Sequence, residues 1–555
     1  MILSGADIIC KVLLEQGSDV VFGYPGGNII NVYDSLYKFR KEIKHVLSAH
    51  EQGAVHAADG YARATGKVGV VLSTSGPGAT NLVTGIATAF LDSIPLVAVC
   101  GNVATSQIGF DSFQELDITG VTLPITKHNY FVGAVEELAD TLREAFRLAK
   151  SGRPGPVLVD VPKDVQIAKC EYVPEPAVER DPPFSPKEVR LEEAAACING
   201  AKRPFIYFGG GVLSSGAEEE IVALADKIDA PLGCSLMGLS AVPSDQARYL
   251  GMEGMHGHYA CTVGMQKADV IISLGVRFND RSTGNKSKFA PNAKIVHIDV
   301  DGSELRKTTA DTHGLRADLK KTLDELLPRL KEVRHPDWQK TIRELKAEEE
   351  SYADRREGLT PKNILSVVNE NLSDKTPLVT DVGQHQMWTA QYAKQRLPRT
   401  FLSSGGLGTM GFGLGAAIGA AIGTGERAVL VTGDGGFGMC LNELATAVTY
   451  KVPVTVLILN NGVLGMVRQW QTLFFGRRYS STVLDRKTDF VALTKAFGGK
   501  GEKVESLYSL DKAFKNAVHY KGPYVIECAV DKDELVLPML PPGGSMDEII
   551  VKVGE

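Results

Sequence analysis

The chain has 555 residues, a formal net charge of −6 and a hydrophobic content of 44%. This length predicts about three domains, because typical domains contain about 100–200 residues. The acidic balance and ordinary hydrophobicity are typical of a globular enzyme and exclude a basic surface for nucleic acid, so neither nucleic acid nor a membrane is expected as a partner.

The eight cysteines are scattered, with no Cys-x-x-Cys pair and no histidine at zinc-ligand spacing. This pattern indicates reduced thiols and predicts a cytoplasmic protein. The N-terminal stretch from Met1 to Gly17 has no basic region before its apolar residues, so we expect an amphipathic first helix and no signal peptide.

The first third of the chain alternates β-branched runs with helical segments, which predicts a doubly wound α/β domain over residues 1–170. The predicted strands are Asp19–Phe22, His45–Ala49, Val68–Ser73, Pro95–Cys100 and Pro156–Val161. Glu51 opens a helix after the second of these strands. From position alone, a glutamate in a first helical turn most often only favours the helix dipole.

A proline-rich, charged segment, Tyr172–Pro186, predicts an extended linker after this domain. A second α/β unit is expected over residues 187–335, where the strand Phe205–Phe208 runs into the glycine turn Gly209–Gly211. The glycine turn alone is a weak signal for a nucleotide. The pair His256-x-His258 could bind a metal, but no third ligand is evident.

The stretch Lys331–Pro361 is rich in Arg, Glu and Lys at helical spacing and predicts a solvated helical connector. A third domain is expected over residues 358–530, followed by a C-terminal tail, 531–555. Within the third domain, Gly405–Gly425 carries no charge and has glycines at the spacing of membrane helix pairs. Its Gly and Ala content is too weakly apolar for insertion, so we expect a buried helix packed closely on a sheet.

The segment Arg427–Gly462 contains a predicted strand, a glycine turn, a helix, a second strand and a pair of asparagines. The elements are strand Ala428–Thr432, turn Gly433–Gly435, helix Asn442–Tyr450, strand Val452–Leu459 and the pair Asn460-Asn461. Two strands joined through a helix form a βαβ unit, which implies a parallel sheet.

The glycines of this unit match the dinucleotide fingerprint Gly-x-Gly-x-x-Gly, which would indicate an NAD site. That interpretation needs an acidic side chain after the second strand, where this sequence has Asn460-Asn461, and it gives Asp434 no role. A carboxylate and an amide oxygen at neighbouring strand ends suit Mg²⁺ bound to a diphosphate, whose oxygens the turn and helix N–H groups can bind. We therefore expect a metal-diphosphate site.

This unit resembles the cofactor motif of thiamine-diphosphate enzymes, and the whole chain resembles the catalytic subunits of the acetohydroxyacid synthase (acetolactate synthase) family. The segments that carry the resemblance are His50–Gly66 with Ser73–Asn81, Phe113–Glu115, and Leu464–Trp470. The resemblance implies three doubly wound parallel-sheet domains: a pyrimidine-binding domain (1–170), a central FAD-binding domain (187–335) and a domain binding the diphosphate and Mg²⁺ (358–530).

The resemblance also implies five catalytic residues. Glu51 would face the aminopyrimidine of thiamine diphosphate and exchange protons with it. Gln114 would lie near the reacting carbon, and Lys163 would line the entrance. Arg281 would receive a substrate carboxylate, a task suited to a guanidinium, and Trp470 would pack on the second 2-ketoacid.

Larger sets of cofactor contacts follow from the same resemblance. For thiamine diphosphate they are Pro25, Gly26, Glu51, Thr74, Pro77, Asn81, Gln114, Val382, Gly383, Gln384, His385, Gly408, Met410, Gly433, Asp434, Gly435, Gly436, Asn461, Val463, Leu464, Gly465 and Met466. Mg²⁺ would be bound by Asp434, Asn461 and the backbone carbonyl of Val463. For a structural, non-redox FAD they are Arg153, Gly209, Gly210, Gly211, Met255, His256, Gly257, Gly275, Val276, Arg277, Asp280, Arg281, Asp299 and Asp318.

Four places depart from the family pattern. Glu253 stands where an apolar residue is expected, Gly415 where the family usually has Pro, Gly436 where Ser is common, and Gly462-Val463 where polar residues are frequent. None of these removes a group that the chemistry needs.

The function implied is decarboxylation of pyruvate and ligation of the two-carbon unit to pyruvate or 2-ketobutyrate, the first common step of branched-chain amino acid biosynthesis. The implied assembly is a homodimer or homotetramer with a small regulatory subunit. An oxidase of pyruvate-oxidase type and a flavin-free catabolic synthase are alternatives, which Arg281 and Gln469-Trp470 disfavour. A non-catalytic binding protein should have lost Glu51, Asp434 or Asn461, and all three are present.

Overall fold

The computed structural model describes residues 1–307 and 313–552. Residues 308–312 of the predicted central domain and 553–555 of the predicted tail lie outside the described residues. Within these described ranges, three six-stranded sheets, each with all its strands parallel, are flanked by helices, which confirms the α/β class with three domains. We refer to these as the first, central and third domains, after the order of their sheets along the chain.

The first domain covers both faces of its sheet with helices, so its strands are almost continuous apolar runs. In spatial order the strands are Lys44–Leu47, Val20–Gly23, Gly69–Ser73, Leu96–Asn102, Pro156–Pro162 and His128–Phe131. The helices are Gly5–Glu15, Ile30–Lys38, Glu51–Thr65, Pro77–Asn81, Val83–Asp92, Ile118–Thr122, Val135–Lys150 and Lys163–Ile167. A short antiparallel pair, Ile2–Ser4 with Lys169–Glu171, closes the domain.

The central domain has its first strand in the middle of the sheet, so the winding reverses there. The strands in spatial order are Tyr249–Met252, Leu232–Cys234, Pro204–Phe208, Val270–Leu274, Lys294–Asp299 and His313–Arg316. The helices are Glu188–Asn199, Gly210–Ser215, Glu218–Lys227, Tyr259–Lys267, Asp280–Thr283 and Leu319–Leu326. A reversal of this kind opens a crevice at the carboxyl ends of the two adjacent middle strands.

The third domain repeats the strand order of the first. Its strands in spatial order are Phe401–Leu402, Leu378–Thr380, Ala428–Gly433, Val454–Asn460, Tyr524–Ala529 and Lys500–Val504. Its helices are Pro361–Asn371, Gln384–Tyr392, Gly413–Thr424, Asp434–Cys440, Leu444–Thr449, Gly465–Phe474, Phe490–Ala496 and Leu507–Val518.

Two expectations from the sequence need correction. The predicted turn at Gly433–Gly435 is a strand end followed directly by a helix, Asp434–Cys440, and the chain is helical well before Asn442. The connector helix, Pro336–Ser351, is not wholly solvated: Trp338 is buried and its indole N–H donates to the carbonyl of Pro204 at 3.0 Å. The charge pattern of the sequence did not indicate this buried face, because only three apolar residues of the helix, about one turn apart, pack on the central domain.

The uncharged glycine-rich segment forms a buried helix, Gly413–Thr424, which packs against its own sheet and against the helix Glu51–Thr65 of the first domain. A Cβ atom on Gly419 would lie 1.8 Å from the carbonyl oxygen of Ala57, and one on Gly60 would lie 2.2 Å from that of Ala416. The two helix backbones are therefore in direct contact. The regularly spaced glycines join the first and third domains.

Replacing Gly419 by Ala should lower the free energy of unfolding by about 1–3 kcal/mol, because the added methyl forces the two backbones apart. Helix propensity alone predicts the opposite sign, since Ala is favoured over Gly by about 1 kcal/mol. Thermal unfolding followed by calorimetry measures the effect. Gly133→Ala is the matched control, because a Cβ there meets nothing within 4 Å. Unchanged stability of Gly419→Ala would contradict the close contact.

Candidate active site

Polar side chains follow three strands of the third sheet at the point where each strand ends. Asp434 follows Ala428–Gly433, Asn461 follows Val454–Asn460, and Gln384 begins a helix shortly after Leu378–Thr380. The carboxyl ends of parallel strands meet at one edge, so these groups lie together. Asn461 Nδ2 donates to Gln384 Oε1 at 3.3 Å, and a Cβ on Gly465 would fall 2.0 Å from the same oxygen.

Asp434 combines a buried carboxylate with the N-terminus of a helix. Burial raises the pKa of its carboxyl, and backbone N–H groups of Asp434, Asn461 and Gly435 partly offset this. The N–H of Val463 donates to Asn461 Oδ1 at 3.2 Å, which holds the asparagine side chain in place. One carboxylate and one amide oxygen fit a hard divalent ion such as Mg²⁺, which takes few protein oxygens and completes its shell with waters and phosphates.

His385 is buried beside this pair. Burial lowers the pKa of its imidazole to about 3, so the ring is neutral at physiological pH. Its Nε2 has no hydrogen-bond partner among the described residues, whereas buried polar atoms are usually paired. The ring lies against Gly433 and Gly383, where a Cβ would come within 3.1 and 2.8 Å of its atoms. An imidazole left unpaired at this edge fits an anionic ligand such as a diphosphate.

A second group of residues lies at the carboxyl edge of the first sheet. Glu51 Oε2 accepts a hydrogen bond from Asn81 Nδ2 at 2.9 Å, while Oε1 faces Gly78. A Cβ on Gly26 would lie 2.5 Å from Thr74, so this glycine allows close contact between the two loops.

Pro77 begins the short helix that carries Asn81, and Gln114 lies beside Gly76 with a positive φ of 63°. Pro25 precedes Gly26 in its loop, and Lys163 begins a helix at the end of the strand Pro156–Pro162.

A large cavity of about 1140 Å³ lies between the central and third domains. The predicted residues that line it are Arg153, Gly209, Gly210, Gly211, Met255, His256, Gly275, Val276, Arg277, Arg281, Asp299, Asp318, Val382, Gly383, Gly408, Met410, Met466 and Trp470. Of the first-domain residues that were predicted to be catalytic or to contact a cofactor, Arg153 lines this cavity and the others do not. Gly433–Gly436, Gln384, His385, Asn461, Val463, Leu464 and Gly465 lie at the adjacent strand ends but outside the lining.

One end of the cavity occupies the crevice of the central sheet. Gly209–Gly211 follows the first strand and Gly275 follows its neighbour Val270–Leu274. A Cβ on Gly209 would lie 2.7 Å from the Gly275 carbonyl, and one on Gly211 would lie 2.5 Å from Gly275 Cα. The two glycine turns therefore pack backbone to backbone at the point where the winding reverses, which is where open α/β sheets bind dinucleotides.

Two residues predicted to contact FAD lie elsewhere. Gly257 packs against the backbone of Met252 and Glu253, where it closes a turn, and the Asp280 side chain, 77% exposed, lies 3.8 Å from Arg281 Nε. His258 bonds to Glu349 at 2.8 Å. No cluster of three or more His, Cys, Asp or Glu side chains suited to a metal occurs in the part of the chain that the structure describes, so the His256-x-His258 pair finds no third ligand.

Arg281 and Trp470 meet on the cavity wall. The guanidinium carbon lies 5.6 Å from the indole ring centroid, within the range of a cation–π contact. Arg281 Nη1 also lies 3.2 Å from the sulfur of Met255. More than half of the Arg281 side chain remains exposed, so its N–H groups are available to a carboxylate.

Sequence reasoning missed Asp92, which lies in the cavity wall at the end of a first-domain helix. Its carboxylate accepts hydrogen bonds from the backbone N–H groups of Gly405 and Gly406, at 3.2 and 2.6 Å, and from Arg63 at 2.8 Å. It thereby holds the loop that leads to Met410. Nothing in the local sequence links Asp92 to a loop of the third domain.

Glu253, the acidic residue in a place where an apolar one was expected, is almost fully buried. Among the described residues neither carboxyl oxygen has a hydrogen-bond partner in good geometry, although the Tyr207 and Ser282 hydroxyls lie nearby and bond each other at 2.7 Å. Burial raises the pKa of Glu253 well above its ordinary 4.5, and the hydroxyls offset this only in part. The side chain is therefore held as a neutral acid.

Comparison with known families follows the same three-part division. Three family descriptions match: "Thiamine pyrophosphate enzyme, N-terminal TPP binding domain" over residues 3–121, "central domain" over 191–326, and "C-terminal TPP binding domain" over 381–528. The fold and these matches define the class: a three-domain thiamine pyrophosphate enzyme.

Curated proteins of similar sequence identify the family within this class. The probable acetolactate synthase large subunit of Methanocaldococcus jannaschii is 44% identical over 99% of this chain and 95% of its own. The large subunits of Escherichia coli acetolactate synthase isozymes 2 and 3 are 43% and 42% identical over 99% of this chain and 100% and 98% of theirs. The chain belongs to the acetolactate synthase large-subunit family. None of the helices in the described ranges is long and apolar enough to span a membrane.

Replacing Glu253 by Leu should stabilise the protein increasingly as the pH rises from about 5 to about 8. The folded state keeps the Glu253 proton above the ordinary pKa of 4.5, whereas the unfolded state releases it, so wild-type stability falls with rising pH. Melting temperatures of both proteins across this range measure the effect. Glu253→Gln is the control, which should also remove the pH dependence but keep a buried polar group. A Tm difference independent of pH would show that Glu253 is not a buried neutral acid.

Proposed function

We propose that the chain is the catalytic subunit of an acetolactate synthase, which decarboxylates pyruvate and joins the remaining two-carbon unit to pyruvate or 2-ketobutyrate. The observation that carries the proposal is the pairing of Arg281 with Trp470 on the wall of a cavity that also contains Met410. A cation beside an apolar ring suits a 2-ketoacid, which has a carboxylate at one end and a short alkyl group at the other. This would be the first common step of branched-chain amino acid biosynthesis, in the cytoplasm.

Thiamine diphosphate, when bound, supplies the nucleophilic carbon and the electron sink for decarboxylation. Asp434, Asn461 and the backbone carbonyl of Val463 would hold Mg²⁺, and His385 with Gln384 would bind the diphosphate. Glu51 would exchange a proton with the pyrimidine through Oε1, because Oε2 already accepts from Asn81. Arg281 would orient the ketoacid carboxylate, and Trp470 would exclude water from its alkyl end.

FAD is proposed for the crevice of the central sheet. Gly209, Gly211 and Gly275 let the turns after two adjacent strands pack backbone to backbone there, at the position where open α/β sheets bind dinucleotides. Arg153 and Arg277 supply positive charge along the cavity. The ligation needs no net electron transfer, so this flavin would be structural.

A dimer is proposed as the smallest active form, with the cofactor shared between two chains. Within one chain the Glu51 group lies away from the cavity that contains Met410 and Trp470. The loop that carries Gln114 exposes Phe110 and Phe113 by 77% and 86%, and exposed aromatic side chains of this kind suit an interface with a second copy. The relatives are named large subunits, which supports a small regulatory partner.

The proposed activity is tested by incubating the protein with pyruvate, thiamine diphosphate and Mg²⁺, and by measuring acetolactate with and without oxygen. We expect acetolactate at equal rates in both cases. Oxygen uptake stoichiometric with CO₂ release would support an oxidase of the pyruvate-oxidase type instead. If neither product forms with all cofactors bound, the proposed activity is wrong.

Replacing Glu51 by Gln should leave the fold and cofactor binding nearly intact but lower kcat by about 10²-fold or more, the usual scale for a lost acid or base. The amide keeps the size of the side chain and loses only the exchangeable proton. Steady-state acetolactate formation and equilibrium binding of thiamine diphosphate measure the two quantities. Wild-type turnover in this variant would exclude Glu51 from proton transfer.

Chains carrying Glu51→Ala mixed with chains carrying Asp434→Ala should recover roughly a quarter of wild-type activity. If each cofactor uses Glu51 of one chain and Asp434 of the other, random exchange gives about half heterodimers, each with one intact site. Refolded mixtures are assayed beside each mutant alone, which should be inactive. Mixtures that contain heterodimers yet stay inactive would show that both residues serve one site within a single chain.

A further inference from the structure

A segment of the third domain, Leu441–Tyr450, contacts the loop that precedes Glu51 in the first domain. Glu443 accepts hydrogen bonds from the backbone N–H groups of Ala49 at 3.2 Å and His50 at 3.0 Å. Two neutral side chains of the same segment reinforce it: Thr446 Oγ1 accepts from the N–H of Ala49 at 3.1 Å and Tyr450 from the N–H of Leu47 at 2.9 Å. All four bonds therefore come from backbone N–H groups between Leu47, the last residue of its strand, and His50, which precedes the helix Glu51–Thr65.

The Glu443 carboxylate is buried and closely surrounded. Its side chain has an exposed fraction of only 2%, and the Thr446 hydroxyl donates to its Oε2 at 2.6 Å. A Cβ on Gly53 would fall 2.0 Å from Oε1, so the first turn of the Glu51 helix can approach this carboxylate only because residue 53 is glycine. An anion at this end of a helix also interacts favourably with the helix dipole.

These bonds fix the backbone N–H groups that precede Glu51 in the chain. The His50 side chain fixes the backbone N–H that follows Glu51. The His50 Nδ1 accepts from the N–H of Gln52 at 3.1 Å, as the N-cap of the helix. Glu51 is thus the residue between two fixed amides, and its carboxylate reaches Asn81 from a first turn that cannot rotate freely. If Glu443 were absent, the N–H of His50 would lose its acceptor, the N–H of Ala49 would keep only Thr446 Oγ1, and this turn could shift.

We propose that Glu443 is a positioning residue for Glu51: from the third domain it fixes the first turn of the helix from which Glu51 acts. The inference rests on the proposed function, in which Glu51 exchanges a proton with thiamine diphosphate. Glu443 itself touches neither substrate nor cofactor in this assignment. The same short stretch of the third domain carries Asp434, so in the proposed dimer it serves the diphosphate edge of one site and the catalytic glutamate of the other.

The test compares Glu443→Ala and Glu443→Gln with the wild type in three measurements. Hydrogen–deuterium exchange of a peptide spanning residues 47–53, in protein without cofactor, reports the loop directly. The exchange rate of the C2 proton of bound thiamine diphosphate reports proton transfer. Equilibrium binding of thiamine diphosphate with Mg²⁺ reports the diphosphate end. Glu502→Ala is the matched control, since Glu502 is a partly buried third-domain glutamate whose partners, Tyr524 and Asn516, lie in the same domain.

We expect Glu443→Ala to exchange faster at residues 47–53 and to slow C2 proton exchange and kcat by about 10- to 100-fold, the scale for a misplaced catalytic group. Cofactor affinity and the KM for pyruvate should change less than about threefold. Glu443→Gln keeps one acceptor oxygen and should give an intermediate loss. The Glu502→Ala control should match the wild type in all three measurements.

Wild-type C2 exchange in a folded Glu443→Ala variant would overturn the proposal, as would a fall in C2 exchange matched by an equal fall in cofactor binding, which indicates general damage. If Glu443→Ala does not fold, Thr446→Val removes one acceptor of the same cluster and should show the same pattern at smaller amplitude. Absence of C2 exchange in the wild type with bound cofactor would refute the proposed function. Loss of protection at residues 47–53 in the variant would then still establish the contact itself.

Discussion

The backbone contact between the helices Glu51–Thr65 and Gly413–Thr424 is the constraint on which the arrangement of the domains depends. Glycines at 60, 415 and 419 remove the side chains that would otherwise separate the helices, so that carbonyls and Cα atoms meet. A contact of this kind has almost no tolerance, because close-packed interiors cannot absorb an added methyl. It fixes the first domain against the third and sets where every loop at their edges can lie.

Buried charged side chains also connect the first domain to the third. Arg63, on the same first-domain helix, pairs with Asp59 and Asp92 and donates to the carbonyl of Ser403 in the third domain. Neighbouring carboxylates hold the pKa of Arg63 above its ordinary range despite its burial. Asp92 in turn binds the N–H groups of Gly405 and Gly406, and Glu443 reaches back to Ala49 and His50. The catalytic loops of each domain are thus supported by the other.

The central domain supplies a different element, a crevice where the winding of its sheet reverses. Glycine turns after two adjacent strands pack backbone to backbone there, and Arg281 lies on the wall that faces Trp470 of the third domain. Glu253 lines the same cavity as a buried neutral acid, a cost in stability beside the turn that carries Arg281. Residues from separate domains therefore form one cavity, and one cluster of buried apolar side chains also runs across the central and third domains.

The sequence alone determined what depends on local pattern. Strand runs, glycine turns and the Asp434–Asn461 spacing predicted three α/β units and the edge at which a metal and a diphosphate fit, because such signals are written within a few tens of residues. It did not predict that Asp434 opens a helix, that the charged connector docks through Trp338, or that Asp92 and Glu443 bind backbone groups in another domain. The contacts of Trp338, Asp92 and Glu443 join residues 134 to 394 positions apart. A hydrogen bond to a backbone N–H group does not depend on the side chain at that position, so the sequence gives no sign of it. Only the tertiary structure decided them, since it alone specifies which buried amides meet which carboxylates.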